Sequence, residues 1–297
     1  MLTRVTLRHH TAHHYPHPVV LGPHTIRLRP RPHSRTPVSA YALTVVPEAH
    51  TLNWQEDAQA NVLARVSFPE ATTVFSVTVE LTAELVELNP FDFFVEPEAV
   101  NWPFSYAPLL EQELAPCRAA EPVSPWLIRL LTGFPLEPQP SVDLLVALNQ
   151  LVRDRVSYVT RLEPGVQAPE QTVNLGSGSC RDMAWLLVQV VRSLGFAARF
   201  VSGYLIQLAD ASRPVAGIAA DRADLHAWAE VYLPGAGWIG FDATSGLMTT
   251  TGHISLAASV QPASAAPITG TVGGADAEFD FDISITRISA SGTSAVV

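Results

Sequence analysis

Hydrophobic spacing changes along this chain, and that change limits the folds open to it. Through residues 1 to about 100 the apolar positions alternate in short runs such as TIRLRPR and ALTVVPE. The longest run, FSVTVELTAELVEL, sets Phe75, Val77, Val79 and Leu81 two residues apart, the period of a strand with one buried face. Prolines interrupt these runs often, so the region predicts several short strands in an antiparallel sandwich.

Residues 101–123 are irregular and proline-bearing, and predict a linker. Helical spacing follows. Ser124-Pro125 reads as an N-cap with proline in the first helical position, ahead of WLIRLL. Ser141 is placed to cap a second helix whose stripe is Leu144, Leu145, Leu148, Leu151 and Val152. A third helix is expected from Arg181 to Leu194, with Gly195 as its stop. Strand patterns then return in FAARFVSGYLIQL, HAWAEVYL, GWIGFDAT and, near the end, FDFDISITRI. The expected organisation is α+β, with a sandwich over residues 1–110 and a second domain over 111–297 that includes the C-terminal strand.

Composition excludes several functions. Of 297 residues, 47% are hydrophobic and 15% charged, which favours a packed globule over disorder. The net charge of −10 argues against nucleic acid and anionic lipid as partners. No apolar run approaches the roughly 20 residues of a bilayer span. The first residues, MLTRVTLRHHTAHHY, lack the apolar stretch of a signal peptide. Cys117 and Cys180 are the two cysteines of the chain, too few for a disulfide framework, so the expected setting is reducing and cytoplasmic. All 18 cationic residues are arginine, so the protein offers no ε-amine of its own as an acyl acceptor.

Cys180 stands in GSGSCRDMAW, where small residues lead into the third helix. Met183, Leu186, Leu187, Val190, Val191 and Leu194 form that helix's buried stripe, and Cys180 falls on the same face in the first turn. The unpartnered N–H groups and the dipole of a helix start favour the anionic form of a thiol placed there. Gly176 and Gly178 lack a Cβ, so a substrate can approach the sulfur closely. On this segment alone the plainer reading is an inert buried cysteine beside an ordinary glycine loop.

A nucleophilic thiol needs a base, and the base needs a group to orient it. Eight of the ten histidines lie between residues 9 and 50, leaving His226 and His253 in the C-terminal half. His9, His10, His13, His14 and His17 alternate across one strand pattern, cannot converge on one ion, and are expected to face solvent. In HAWAEVYL, His226 shares a face with Trp228, Glu230 and Tyr232; in GWIGFDAT, Asp242 shares a face with Trp238 and Gly240. A hairpin pairing Tyr232 with Trp238 would pair Trp228 with Asp242 and His226 with Thr244. It would make His226 and Asp242 same-face diagonal neighbours, roughly 7–8 Å apart at the backbone. A slip of one residue would put them on opposite faces. Asp224 is a second candidate orienter without strand-pair geometry. Zinc on Cys180, His226 and Asp242 is compatible by residue type, but no clustered ligand spacing supports it.

Taken together, GSGSCRDMAWLLVQVVRSLGFAARFVSGYL and DLHAWAEVYLPGAGWIGFDATSGL resemble the cysteine, histidine and aspartate segments of the bacterial transglutaminase-like family, a branch of the papain-like thiol enzymes. HPVVLGPHTIRLRPRP resembles the β-rich N-terminal domain that accompanies many members, and GHISLAASVQPASAAPITG their closing segment. The resemblance implies a core with the cysteine at a helix N-terminus packed on an antiparallel sheet. It implies Cys180 as nucleophile, His226 as base and then acid, Asp242 as orienter, and the Cys180 N–H as one oxyanion donor. Tyr158, in RVSYVT, is the candidate for a second donor, against the plainer reading of a core tyrosine. The expected chemistry is cleavage of an amide or peptide bond through a thioester, with no metal or organic cofactor. Transfer to an amine, or a silent binding scaffold, are the alternatives. Two departures stand out: Ala243 replaces the usual proline after the aspartate, which predicts a looser turn, and VQPAS replaces a Gly-Arg-Asp-like stretch in the tail.

Overall fold

The computed structural model describes residues 2–32, 34–120, 124–209, 220–274 and 276–288. Its N-terminal part is the expected sandwich of two antiparallel sheets. One runs in the order Glu278–Ile288, Leu2–Val19, Thr72–Val86, Val38–Val46. The other runs Ile268–Thr269, His24–Ile26, Val62–Ser67, Thr51–Glu56. Phe75, Val77, Val79 and Leu81 all face the core, as their spacing predicts. Each such side chain contributes about 1.5–3 kcal/mol by leaving water.

The second part is built on a five-stranded antiparallel sheet, ordered Leu247–Met248, Gly237–Asp242, Arg222–Leu233, Ala197–Gln207, His253–Ser259. The Cys180–Ser193 helix packs on this sheet, with the Ser141–Arg155 and Pro169–Leu175 helices against it. Met183, Leu186, Leu187, Val190 and Val191 are all buried, as expected. Gly195, at φ +92°, ends the helix in the left-handed region, as its position predicted. The two parts share apolar packing: Tyr204, Ile206, Ile254 and Leu256 of the five-stranded sheet join Val5, Leu7, Val77 and Leu81 of the sandwich in one cluster.

Several expectations are corrected. Residues 101–123 hold a helix, Pro108–Arg118, where a linker was expected. Pro108 sits in its first turn, where no helical hydrogen bond is lost, and Pro116, inside the helix, forfeits one; Leu114 anchors it in a cluster with Tyr106 and Ala197. Ser141 is the first helical residue, not the cap, and its hydroxyl donates to the Ala99 carbonyl at 2.7 Å. Ser124 does hold the cap position of Pro125–Leu131, without a side-chain cap bond. The C-terminal strand, expected with the second domain, pairs with Leu2–Val19 from Arg4↔Ile288 to His14↔Glu278. That strand offered an open edge long enough for an eleven-residue ladder.

The N-terminal histidines do not all face solvent. Val5, Leu7, His9 and Thr11 form the inward face of their strand. His9 is buried there, with Nδ1 at 2.9 Å from the Tyr204 hydroxyl and Nε2 at 2.8 Å from Thr11 Oγ1. Burial, aided by the neighbouring His10, pushes its pKa down to about 4. His14 and His17 are exposed as expected. Among the described residues, no helix is long and apolar enough to cross a membrane.

Candidate functional site

Cys180 is the first residue of its helix, so the sulfur sits at the helix mouth as its place in the sequence implied. The loop before it is fixed by two glycines. Gly176, at φ +61°, closes the preceding helix in a left-handed conformation. A Cβ on Gly178 would lie 2.9 Å from Asp182 Cβ, so no side chain fits. Asp182, to which the sequence analysis assigns no role, is the structural centre of this loop. Its Oδ2 accepts from the Ser179 N–H at 2.8 Å, the Ser179 hydroxyl at 2.8 Å and Arg161 Nε at 2.9 Å. Its Oδ1 accepts from the Gln167 N–H at 2.7 Å. Burial alone would raise its pKa, but these donors outweigh burial and hold the carboxyl below its ordinary value. The signal was present in the sequence: Ser-x-x-Asp at a helix start is the pattern of a capping box.

The hairpin adopts the required register, with Tyr232 opposite Trp238 and Ala229 opposite Phe241. The ladder stops there. Asp242 pairs with Leu247 of the next strand and not with Trp228 as expected, because the chain turns immediately after it. The face is nonetheless preserved, and His226 Nε2 donates to Asp242 Oδ1 at 3.1 Å. The turn at Ala243 is not loose. The Gly246 N–H donates to the Asp242 carbonyl at 2.8 Å, and Ala243 is buried. Asp224 is exposed and paired with Leu205 across the sheet; the carboxylate bonded to His226 is Asp242.

Asp242 is nearly inaccessible and accepts four hydrogen bonds. Oδ1 takes His226 Nε2 and the Thr244 N–H at 2.9 Å; Oδ2 takes Ser245 Oγ at 3.0 Å and His253 Nε2 at 3.5 Å. Burial opposes its charge, yet the bonds from His226 and His253 keep it far below the ordinary carboxylate range. On His226 burial works against the cation. The hydrogen bonds to Asp242 and then to Cys180, with their charges, prevail and raise its pKa to about 10. His226 thus joins Cys180 on one side to Asp242 on the other, the three coming from separate elements. Glycine 203, opposite His226, is required here: a Cβ would lie 2.3 Å from the Ile254 carbonyl and 2.4 Å from Trp228 Cη2.

Tyr158 is placed near the cysteine by a short parallel pairing of Ser157–Tyr158 with Ser177–Gly178. It is not a core tyrosine, being 53% exposed. Partial burial, and then the Cys180 charge, push its phenol pKa up. His253 was noted in the sequence but given no role; it lies on a strand that pairs with neither His226 nor Asp242, so no local pattern marks it. Donor atoms of His226, Asp242 and His253 lie within 4.8 Å of one another, close enough for one metal ion by geometry. These side chains already satisfy one another by hydrogen bonds, so an ion would have to displace the proton shared by His226 and Asp242.

Residues 5–84 match the family profile of the bacterial transglutaminase-like N-terminal region, and residues 132–243 that of the transglutaminase-like superfamily. The uncharacterized protein ML0607 of Mycobacterium leprae is 24% identical over 290 residues, spanning 96% of this chain and 99% of that one. A crystal structure from Cytophaga hutchinsonii, described as a candidate cysteine protease, superposes with a TM-score of 0.70 at 17% identity. It covers 99% of this chain and 93% of its own, and at that identity it speaks for the fold alone. LapG of Legionella pneumophila matches over 50% of this chain and 82% of its own, at 12% identity and a TM-score of 0.33. The two profiles match in order along the chain, a bacterial transglutaminase-like N-terminal region over residues 5–84 and a transglutaminase-like core over residues 132–243, and the core has a papain-like fold whose cysteine opens a helix against an antiparallel sheet.

Proposed function

We propose that the protein cleaves an amide or peptide bond by thiol catalysis, with Cys180 as nucleophile, His226 as base and acid, and Asp242 as orienter. The observation that carries this reading is the buried His226–Asp242 bond at 3.1 Å on an imidazole also bonded to Cys180. Asp242 occupies Nε2, leaving Nδ1 for the sulfur. The Cys180 thiolate attacks the carbonyl carbon, and the oxygen becomes an oxyanion. The Cys180 N–H, free at the helix start, donates to that oxyanion, with the Tyr158 hydroxyl as second donor. Collapse breaks the C–N bond; the amine leaves with the proton from His226, and a thioester remains. Neutral His226 then takes a proton from water, which attacks the thioester. The carboxylic acid departs and the thiolate–imidazolium pair returns.

An amine can replace water in the last step. Hydrolysis is favoured because Tyr158, the side chain placed near Cys180, is 53% exposed, so water reaches this edge of the site. The substrate is a peptide or protein amide. A reducing, cytoplasmic setting belongs to the same proposal and is supported by the two free thiols. A silent scaffold would have no use for a buried charge relay, which costs several kcal/mol to desolvate.

The test is incubation with a peptide library, with and without a primary amine, read by mass spectrometry. Hydrolysed peptides are expected from the wild type and none from a folded Cys180→Ala variant. Turnover surviving in that variant would end the proposal, and amine incorporation exceeding hydrolysis would replace hydrolase by transferase.

A further inference from the structure

We propose that His253 is a positioning residue of this site: a second imidazole holds the far oxygen of Asp242, so that the near oxygen stays aimed at His226. The proposal rests on the Cys180–His226–Asp242 reading above.

A carboxylate turns easily about its last torsion, so its aim depends on what its two oxygens touch. Oδ1 meets His226 and the fixed Thr244 N–H. Oδ2 meets the Ser245 hydroxyl, whose oxygen accepts from the Leu247 N–H at 3.2 Å and whose single proton has the Asp242 carbonyl at 3.3 Å as a second acceptor, and His253 Nε2 at 3.5 Å, the longest of the four contacts. His253 itself cannot rotate freely. The Thr250 backbone N–H donates to its Nδ1 at 3.1 Å, which makes Nδ1 an acceptor and puts the ring proton on Nε2, facing Asp242. Its ring meets Trp228 edge-on at 5.2 Å, and its side chain is 8% exposed. Trp228 is in turn wedged against Gly203 and lies beside His226, ring centres 6.5 Å apart. The backbone at Thr250, the His253 ring, Asp242 and His226 thus form a continuous chain of donors and acceptors ending at the sulfur. Without His253, Oδ2 keeps only the Ser245 hydroxyl, whose proton can turn to the Asp242 carbonyl, and the carboxylate can swing.

The test uses His253→Leu, which removes the donor, and His253→Gln, whose amide reaches near the Nε2 position. Iodoacetamide alkylation of Cys180 at pH 7, with Cys117 as internal reference, is followed by mass spectrometry. Nitrogen-15 spectra of labelled histidines report the His226 ring. We expect His253→Leu to slow Cys180 alkylation about tenfold, the scale of one hydrogen bond to a charged group, and to shift the His226 signals. His253→Gln should stay within about threefold of wild type, and the wild-type spectrum should show His253 protonated on Nε2. Equal slowing in both variants, with His226 signals unmoved, would assign the effect to packing and overturn the proposal. So would wild-type alkylation in a folded His253→Leu. Wild-type Cys180 no more reactive than Cys117 would instead overturn the underlying triad, and this role with it.

Discussion

Replacing Asp242 by Asn tests the electrostatics of the site with almost no change of shape. The rise of His226 from 6.5 to about 10 corresponds to about 5 kcal/mol in favour of its cation, net of burial. Among the influences that raise it, the Asp242 hydrogen bond comes first. An Asn can keep its oxygen at the Oδ1 position for His226 and Thr244. Its amide nitrogen then faces Ser245, which can turn to accept, and His253 Nε2–H, which cannot. The bond to His226 survives in form but the charge is gone, while the burial opposing the cation remains. We predict that the His226 pKa falls by about three units or more, about 4 kcal/mol, to neutrality or below. Turnover should fall by a factor on the order of 10⁴, the cost of the same change in a Ser-His-Asp triad. The assay is a nitrogen-15 titration of the His226 ring between pH 5 and 10. Wild-type His226 should remain cationic at pH 8 and the variant should not. The sign for stability follows: a raised pKa stabilises the fold fully below about 6.5, and that contribution fades as pH rises through about 10. The His226 share of the stability gap between wild type and variant should therefore vanish above that pH. A variant still cationic at pH 8, or a wild type neutral at pH 7, would refute the reasoning.

Three further outcomes are expected. Gly203→Ala should cost about 1–3 kcal/mol or more in denaturant unfolding, because its Cβ meets Trp228 and the Ile254 carbonyl; unchanged stability would mean the strands are not packed as described. Asp182→Ala should destabilise the chain by about 2 kcal/mol or more and slow Cys180 alkylation, since it strands the Ser179 and Gln167 N–H groups and leaves Arg161 with Glu163 alone; a normal alkylation rate would free the nucleophile from its loop. At pH 6, iodoacetamide should label Cys180 ahead of Cys117, whose thiol pKa is pushed up by burial; no preference would favour the scaffold.

The chain's own pattern was informative where interactions are local. The stripe from Met183 to Val191 requires a helix, and Cys180 at its start inherits a fixed direction; that every residue from 182 to 192 is buried, on all faces, was not legible in the stripe. The short PGAG connection sets Tyr232 against Trp238, and alternation then carries His226 and Asp242 to one face. Local pattern failed where a distant partner decides. Two prolines concealed Pro108–Arg118, which is held by Leu114 against Tyr106 and Ala197 more than by propensity. His9 is buried because Tyr204, almost two hundred residues away, covers it. His253 reaches Asp242 only because residues 249–252 fold over the strand ends, with the Thr249 N–H on the Gly240 carbonyl and the Ile206 N–H on the Gly252 carbonyl.

Sequence by itself determined which residues could react and which faces they occupy, since helix and strand periods act over a few residues. Tertiary structure decided that a helix mouth, a hairpin and a strand beyond it meet around one buried carboxylate. That meeting depends on sheet order and shared packing, which no local period encodes.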